Sequence, residues 1–78
     1  MKFYISLYPL DGGEVNVNND FESKRLEPGI VFVVDFVSSY GVQLKSVCGK
    51  YASNGFIAID LLRFAFKEQD FIEKIASR

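Results

Sequence analysis

Asp35 is the residue whose surroundings most invite chemistry. It stands inside the run Gly29-Ile30-Val31-Phe32-Val33-Val34-Asp35-Phe36-Val37. A carboxylate in an apolar strand must reach solvent, pair with a cation, or hold its proton to a higher pH than usual. The functional reading is a binding or catalytic carboxylate, or half of an interfacial ion pair. The plainer reading is a solvated position near a strand end, or a charge that keeps an edge strand from pairing with other chains. Perturbed carboxylates mark sites only statistically, so the plainer reading is preferred.

Other reactive types are scarce. The chain has no histidine, which removes the commonest general base and the commonest metal ligand. Ser-His-Asp and Cys-His arrangements and histidine-bearing zinc sites are therefore ruled out. Cys48 is the single cysteine. It lies on an apolar parity and reads as a small buried hydrophobe, not a nucleophile. Gly12-Gly13 follows a strand, as phosphate loops do, but has no spaced third glycine and no Gly-Lys-Ser/Thr. It reads as a hairpin turn. Asp, Glu, Lys and Tyr leave catalysis open in principle, but the expectation is a non-enzyme with no catalytic residue, no cofactor and no metal.

Tyr4 and Tyr8 alternate with Phe3, Ile5 and Leu7 and fall on the opposite face of the first strand, with Lys45 a candidate neighbour. Exposed sheet aromatics stack nucleic-acid bases. The charge argues against that use: the net charge is -1, the pI is about 5.2, and the nine Lys and Arg residues are interleaved with acids. The bland account is amphipathic tyrosines lying on a wet sheet. Protein recognition falls between the two, because interfaces favour Tyr and Phe at their centre.

The elements that would position these residues follow from periodicity. Residues 3–7 alternate as a first strand, and Asp11-Gly12-Gly13 predicts a hairpin to a second strand over 14–18. Asn19 with Glu22 reads as a cap for a short helical turn over about 20–26. Pro28-Gly29 makes a turn into the third strand, which is apolar on both faces. Ser38-Ser39-Tyr40-Gly41 is a second hairpin loop, Val42–Cys48 a fourth strand, and 49–55 a loop with Asn54-Gly55 as its turn signal. From Asp60, Leu61, Leu62, Phe64, Ala65, Ile72, Ile75 and Ala76 recur at helical spacing, as one helix or as two with a break near Glu68–Asp70. Lys67, Glu68, Glu73 and Lys74 read as its solvated face.

The predicted fold class is α+β: a four-stranded, mainly antiparallel sheet in β-β-β-β-α order, with the C-terminal amphipathic helix on one face. The predicted core sets Phe3, Ile5, Leu7, Val15, Val17, Phe32, Val34, Phe36, Val42 and Leu44 against Leu61, Leu62, Ala65 and Ile72. The Phe-bearing parity of the third strand is assigned inward because larger side chains need more burial. With 78 residues the chain is expected to be one domain over 1–78. One cysteine, no leader-like start and no run of roughly 20 apolar residues predict a cytoplasmic protein without a membrane partner.

One helix covers one face of the third strand and leaves Val31, Val33, Asp35 and Val37 on the other. On a helix Phe66 lies about 200° from Phe64, so one of them faces outward. The predicted binding residues are accordingly Tyr4, Tyr8, Val31, Val33, Asp35, Val37 and Phe66. The partner is expected to be a protein, either a second copy or a larger chain, and nucleic acid is disfavoured. In profile the chain resembles the small accessory proteins of phages and mobile elements, including inhibitors of host enzymes; this resemblance covers no motif.

Overall fold

The computed structural model describes residues 2–70. Among them, seven strands form one antiparallel sheet and a single short helix interrupts the series. The strands are β1 (Phe3–Ser6), β2 (Leu10–Val15), β3 (Phe21–Leu26), β4 (Val31–Ser38), β5 (Gly41–Ser46), β6 (Tyr51–Ser53) and β7 (Phe66–Gln69). The helix, α1 (Ile59–Ala65), lies between β6 and β7, and the sheet order is β3-β2-β6-β5-β4-β1-β7. This overturns the α+β expectation of four strands and a C-terminal helix.

Three causes account for the difference. The first is Asp11-Gly12-Gly13, which lies within β2 and makes no turn. Both glycines are buried, and a Cβ on Gly12 would overlap the Ala52 carbonyl and the Leu26 side chain. On Gly13 it would overlap the Phe21 ring. These residues are glycine because β3 and β6 approach β2 closely on both sides. The turn falls later, at 16–20, where Asn16 Oδ1 accepts the N–H groups of Asn18 and Asp20 and Asn19 adopts a φ of 67°. Val17, expected in the core, is fully exposed on that turn.

The second cause is cross-strand charge. Residues 21–26, expected to form a helical turn, pair along all of β2, with Asp11 opposite Arg25 and their ion pair at 2.6 Å. The third is the tertiary capture of Phe66–Gln69. Its apolar spacing continues the helical pattern, but it pairs with β1 from Phe3↔Gln69 to Ser6↔Phe66. Ladder bonds to β1 outweigh a weak local helix preference. The N-cap of α1 is Ala58, which has no side-chain capping bond, and Asp60 lies in the first turn. The helical expectations for 71–78, including Ile72, Ile75 and Lys74, lie outside the described residues.

The expected hairpin of strands one and two is also absent. β1 pairs with β4 and β7 instead, so the chain leaves the first strand and returns through the long β2–β3 hairpin. The core consists of Leu26, Phe32, Val42, Leu44, Ile57, Leu62 and Phe66, with Tyr4, Leu10, Ile30, Tyr51 and Ala65 packed around it. Phe32 and Phe66 meet edge to face at 6.0 Å. Three buried serines close the ends of the sheet. Ser6 Oγ accepts Ile30 N–H, Ser46 Oγ accepts Tyr51 N–H, and Ser53 Oγ accepts Leu44 N–H while donating to the Gly55 carbonyl. The last two bonds hold β6 in a stretch expected to be loop, and each leaves no buried hydroxyl unsatisfied.

Candidate functional site

The site is organised by one extra residue. β4 and β5 pair from Phe32↔Ser46 to Val34↔Leu44, and then resume at Phe36↔Gln43, so Asp35 is the bulge. Side chains alternate with a period of two along a strand, and an inserted residue therefore exchanges the faces beyond it. Phe32 and Val34 lie on the face of Leu44. Phe36 lies on the face of Gln43. The Phe-bearing parity assigned to the core holds at Phe32, which is fully buried, and fails at Phe36, which is 58% exposed.

Beyond the bulge, Phe36 meets Phe56, with ring centres 5.9 Å apart. Phe56 is held beside β5 by the Val42–Ile57 bridge, whose two backbone bonds are 2.9 and 2.7 Å. Tyr40, in the two-residue turn between β4 and β5, packs on the same Phe56 ring at 6.5 Å and is 80% exposed. Its N–H bonds the Ser38 hydroxyl, which shapes the turn. On the far side of Phe56 a depression of about 380 Å³ opens, lined by Tyr8, Pro9, Leu61, Phe64 and others. Tyr8 and Phe64 stack face to face across its wall, 5.6 Å apart and within 9° of parallel. The result is one exposed tract that runs from Tyr8 and Phe64 through Leu61 and Phe56 to Phe36 and Tyr40. Among the described residues, the charges that line the hollow are Asp11 and Arg25, which neutralise each other.

The predicted binding residues divide. Tyr4, Val33, Asp35 and Val37 line a shallow depression of about 590 Å³ with Lys2, Val34 and Lys45. Asp35 is half-exposed and lies 3.6 Å from Lys45, so it is solvated and paired, as in the plainer of its two readings. This depression borders the stretch of β4 that β1 does not reach, because β1 pairs only with Val31 and Phe32. Val31 is half-buried beneath Ile5, and its carbonyl accepts Val47 N–H. Tyr8 lies apart, on the aromatic tract. Tyr4 pairs opposite Phe32 and packs on the core, so the two tyrosines do not share a wet face. Phe66, expected to face outward, is 4% exposed, whereas Phe64 is 69% exposed. The start of β7 at Phe66 turns that ring inward and leaves Phe64 on the helix surface.

Sequence reasoning missed Phe36, Tyr40, Phe56, Leu61 and Phe64 as a group. The one available signal was Asn54-Gly55 just before Phe56, a turn that presents the next residue at the surface. Away from the tract the polar groups pair in the manner of an ordinary wet surface. Lys24 hydrogen-bonds Glu14 and, with Lys50 nearby, holds the Glu14 carboxyl below its ordinary value. Lys2 bridges Glu68 and Asp70, which lowers the Asp70 carboxyl and raises the Lys2 ammonium. A hydrogen bond from Ser46 leads the causes that lower the exposed Cys48 thiol, contrary to the expected burial of that residue. Among the described residues no cluster of three metal-ligating side chains occurs, and no helix is long and apolar enough to cross a membrane. No family model, no curated protein and no solved structure matches this chain.

Proposed function

We propose that this chain is a non-enzymatic protein-recognition module whose binding face is the aromatic tract from Tyr8 to Tyr40. One observation carries the reading: five aromatic rings and Leu61 are exposed together around one hollow. Scattered exposed apolar residues are normal on a protein surface, but a contiguous patch is the mark of an interaction site. Aromatic anchors beside a depression are the usual carriers of binding energy between proteins. Single-strand nucleic-acid binding also uses aromatic platforms, but it needs a positive groove to follow the phosphates. Among the described residues, the lining of the hollow supplies one cation, Arg25, and Asp11 neutralises it.

Selection of a random peptide library on the immobilised protein tests the reading. Peptides with apolar or aromatic anchors are expected to be enriched, to lose binding to Phe64→Ser, and to shift the amide resonances of 54–64. No enrichment over that variant, or shifts confined to other faces, would remove the tract as the binding face. A salt-sensitive shift with a single-stranded oligonucleotide, lost in the same variant, would transfer the tract to nucleic acid.

A further inference from the structure

The tract carries both a projection and a hollow, and Phe56 is common to them. On one side Tyr40 stands out from the β4–β5 turn, 80% exposed, against the Phe56 ring. On the other side the depression of about 380 Å³ is walled by Phe56, Leu61, Phe64 and Tyr8. A surface that carries both a projection and a hollow can pair with a copy of itself: in a two-fold dimer, the rotation that brings one Tyr40 to the other copy's depression also brings the second to the first.

We propose that the occupant of this tract is a second copy of the chain, joined in a symmetric dimer in which Tyr40 of each copy fills the Phe56–Leu61–Phe64 hollow of the other. The proposal rests on the protein-recognition reading above and names its partner. The area agrees. Phe and Tyr each offer about 150–250 Å², so at their observed exposures the five rings and Leu61 leave on the order of 700 Å² uncovered. Each partner contributes roughly 800 Å² to a standard interface. Charge agrees too. The two charges that line the hollow, Asp11 and Arg25, are already closed on each other at 2.6 Å, so neither meets its own image unpaired.

Sedimentation velocity on the full chain, in reductant so that Cys48 stays a thiol, tests the proposal. Over a concentration series the wild type is expected to pass from monomer to dimer. Tyr40→Ser and Phe64→Ser should each weaken self-association by about thirty-fold or more, the effect of losing a central anchor. Val17→Ser, on the distant β2–β3 turn, should leave it unchanged. The decisive sample is an equimolar mixture of the two variants. One copy then keeps a hollow and the other keeps a projection, so the mixed pair retains one of the two contacts and should associate more tightly than either variant alone. Thermal melts establish that each variant is folded, and Leu61→Ser replaces Phe64→Ser if the latter is not.

A wild type that stays monomeric at the highest concentration would overturn the dimer, as would variants that associate like the wild type. A mixture no tighter than its components would overturn the insertion of Tyr40. A monomer that still enriches tract-dependent peptides would end this proposal and leave protein recognition standing, whereas failure of both experiments would end both.

Discussion

The open edge of β4 and the aromatic tract both expose apolar side chains, yet they are built to opposite ends. At the open edge Val34 and Val37 flank a bulge, and the bulged residue is a carboxylate paired with Lys45. A bulge breaks the regular row of backbone groups that a foreign strand would need, and a charge at that point makes pairing costlier still. The tract has neither device. Its rings pack on one another and wall a hollow whose lining charges, Asp11 and Arg25, are paired. Exposed apolar area is thus not one kind of feature: what surrounds it distinguishes an edge defended against association from a face suited to it.

Gly41→Ala should have the largest effect, because it damages the scaffold of the tract. Gly41 has a φ of +145°, and an added Cβ would collide with the Ile57 carbonyl that bonds Val42. The expected loss is on the order of 3 kcal/mol, read from urea unfolding. Gly29→Ala, at a φ of +98° with open space around it, should cost only about 1–2 kcal/mol. Equal losses at the two positions would show that the approach of Ile57 to β5 is not what holds Phe56 in place.

Deleting Asp35 is expected to be next in size, since it removes the bulge that separates the two regions. Phe36 would follow Val34 directly, keep its pairing with Gln43 and stay on the tract, while the regular open edge would be restored. The expected readouts are a retained Phe36–Phe56 contact in nuclear Overhauser spectra and a rise in light scattering at high concentration. Asp35→Val should raise scattering as well, but with stability changed by no more than about 1 kcal/mol, because only a surface ion pair is lost. If Asp35→Val stayed as clear as the wild type, the carboxylate would not be what guards the edge.

The smallest effect is expected from the Glu14–Lys24–Lys50 cluster, which belongs to neither region. Glu14 has its folded pKa below the ordinary 4.5 because of Lys24 and Lys50. A depressed carboxylate contributes stability above its unfolded pKa, and that contribution is lost as pH falls through the folded value. The melting temperature should therefore decline below about pH 4.5, and Glu14→Gln should flatten part of that decline. An unchanged acid limb in the variant would show that these ion pairs are too well solvated to matter.

Several elements were legible in the chain because their determinants are local. β1, β4 and β5 follow from alternation, the β4–β5 connection from its turn residues, and the absence of histidine narrows the chemistry outright. β2, β3, β6 and β7 were not legible. Gly12-Gly13 has the composition of a turn, and only the closeness of β3 and β6 makes it strand. Residues 22–25 are all polar, and only pairing with β2 makes 21–26 a strand. Phe66–Gln69 continues a helical spacing and becomes strand only because β1 offers an edge. Of the predicted binding residues, Tyr8 belongs to the tract. Phe66 was exchanged for Phe64 by that same capture of β7.

Composition and pattern by themselves determined an aromatic, strand-forming chain with an apolar surplus around β4 and few groups for catalysis. Where that surplus lies was decided only by the tertiary structure. A bulge is invisible in a run of residues that all suit a strand, because the count of residues facing each partner exists only once the partners are paired. That one uncounted residue at Asp35 places Phe36 on the surface beside Phe56, while Phe32, four residues earlier, stays in the core.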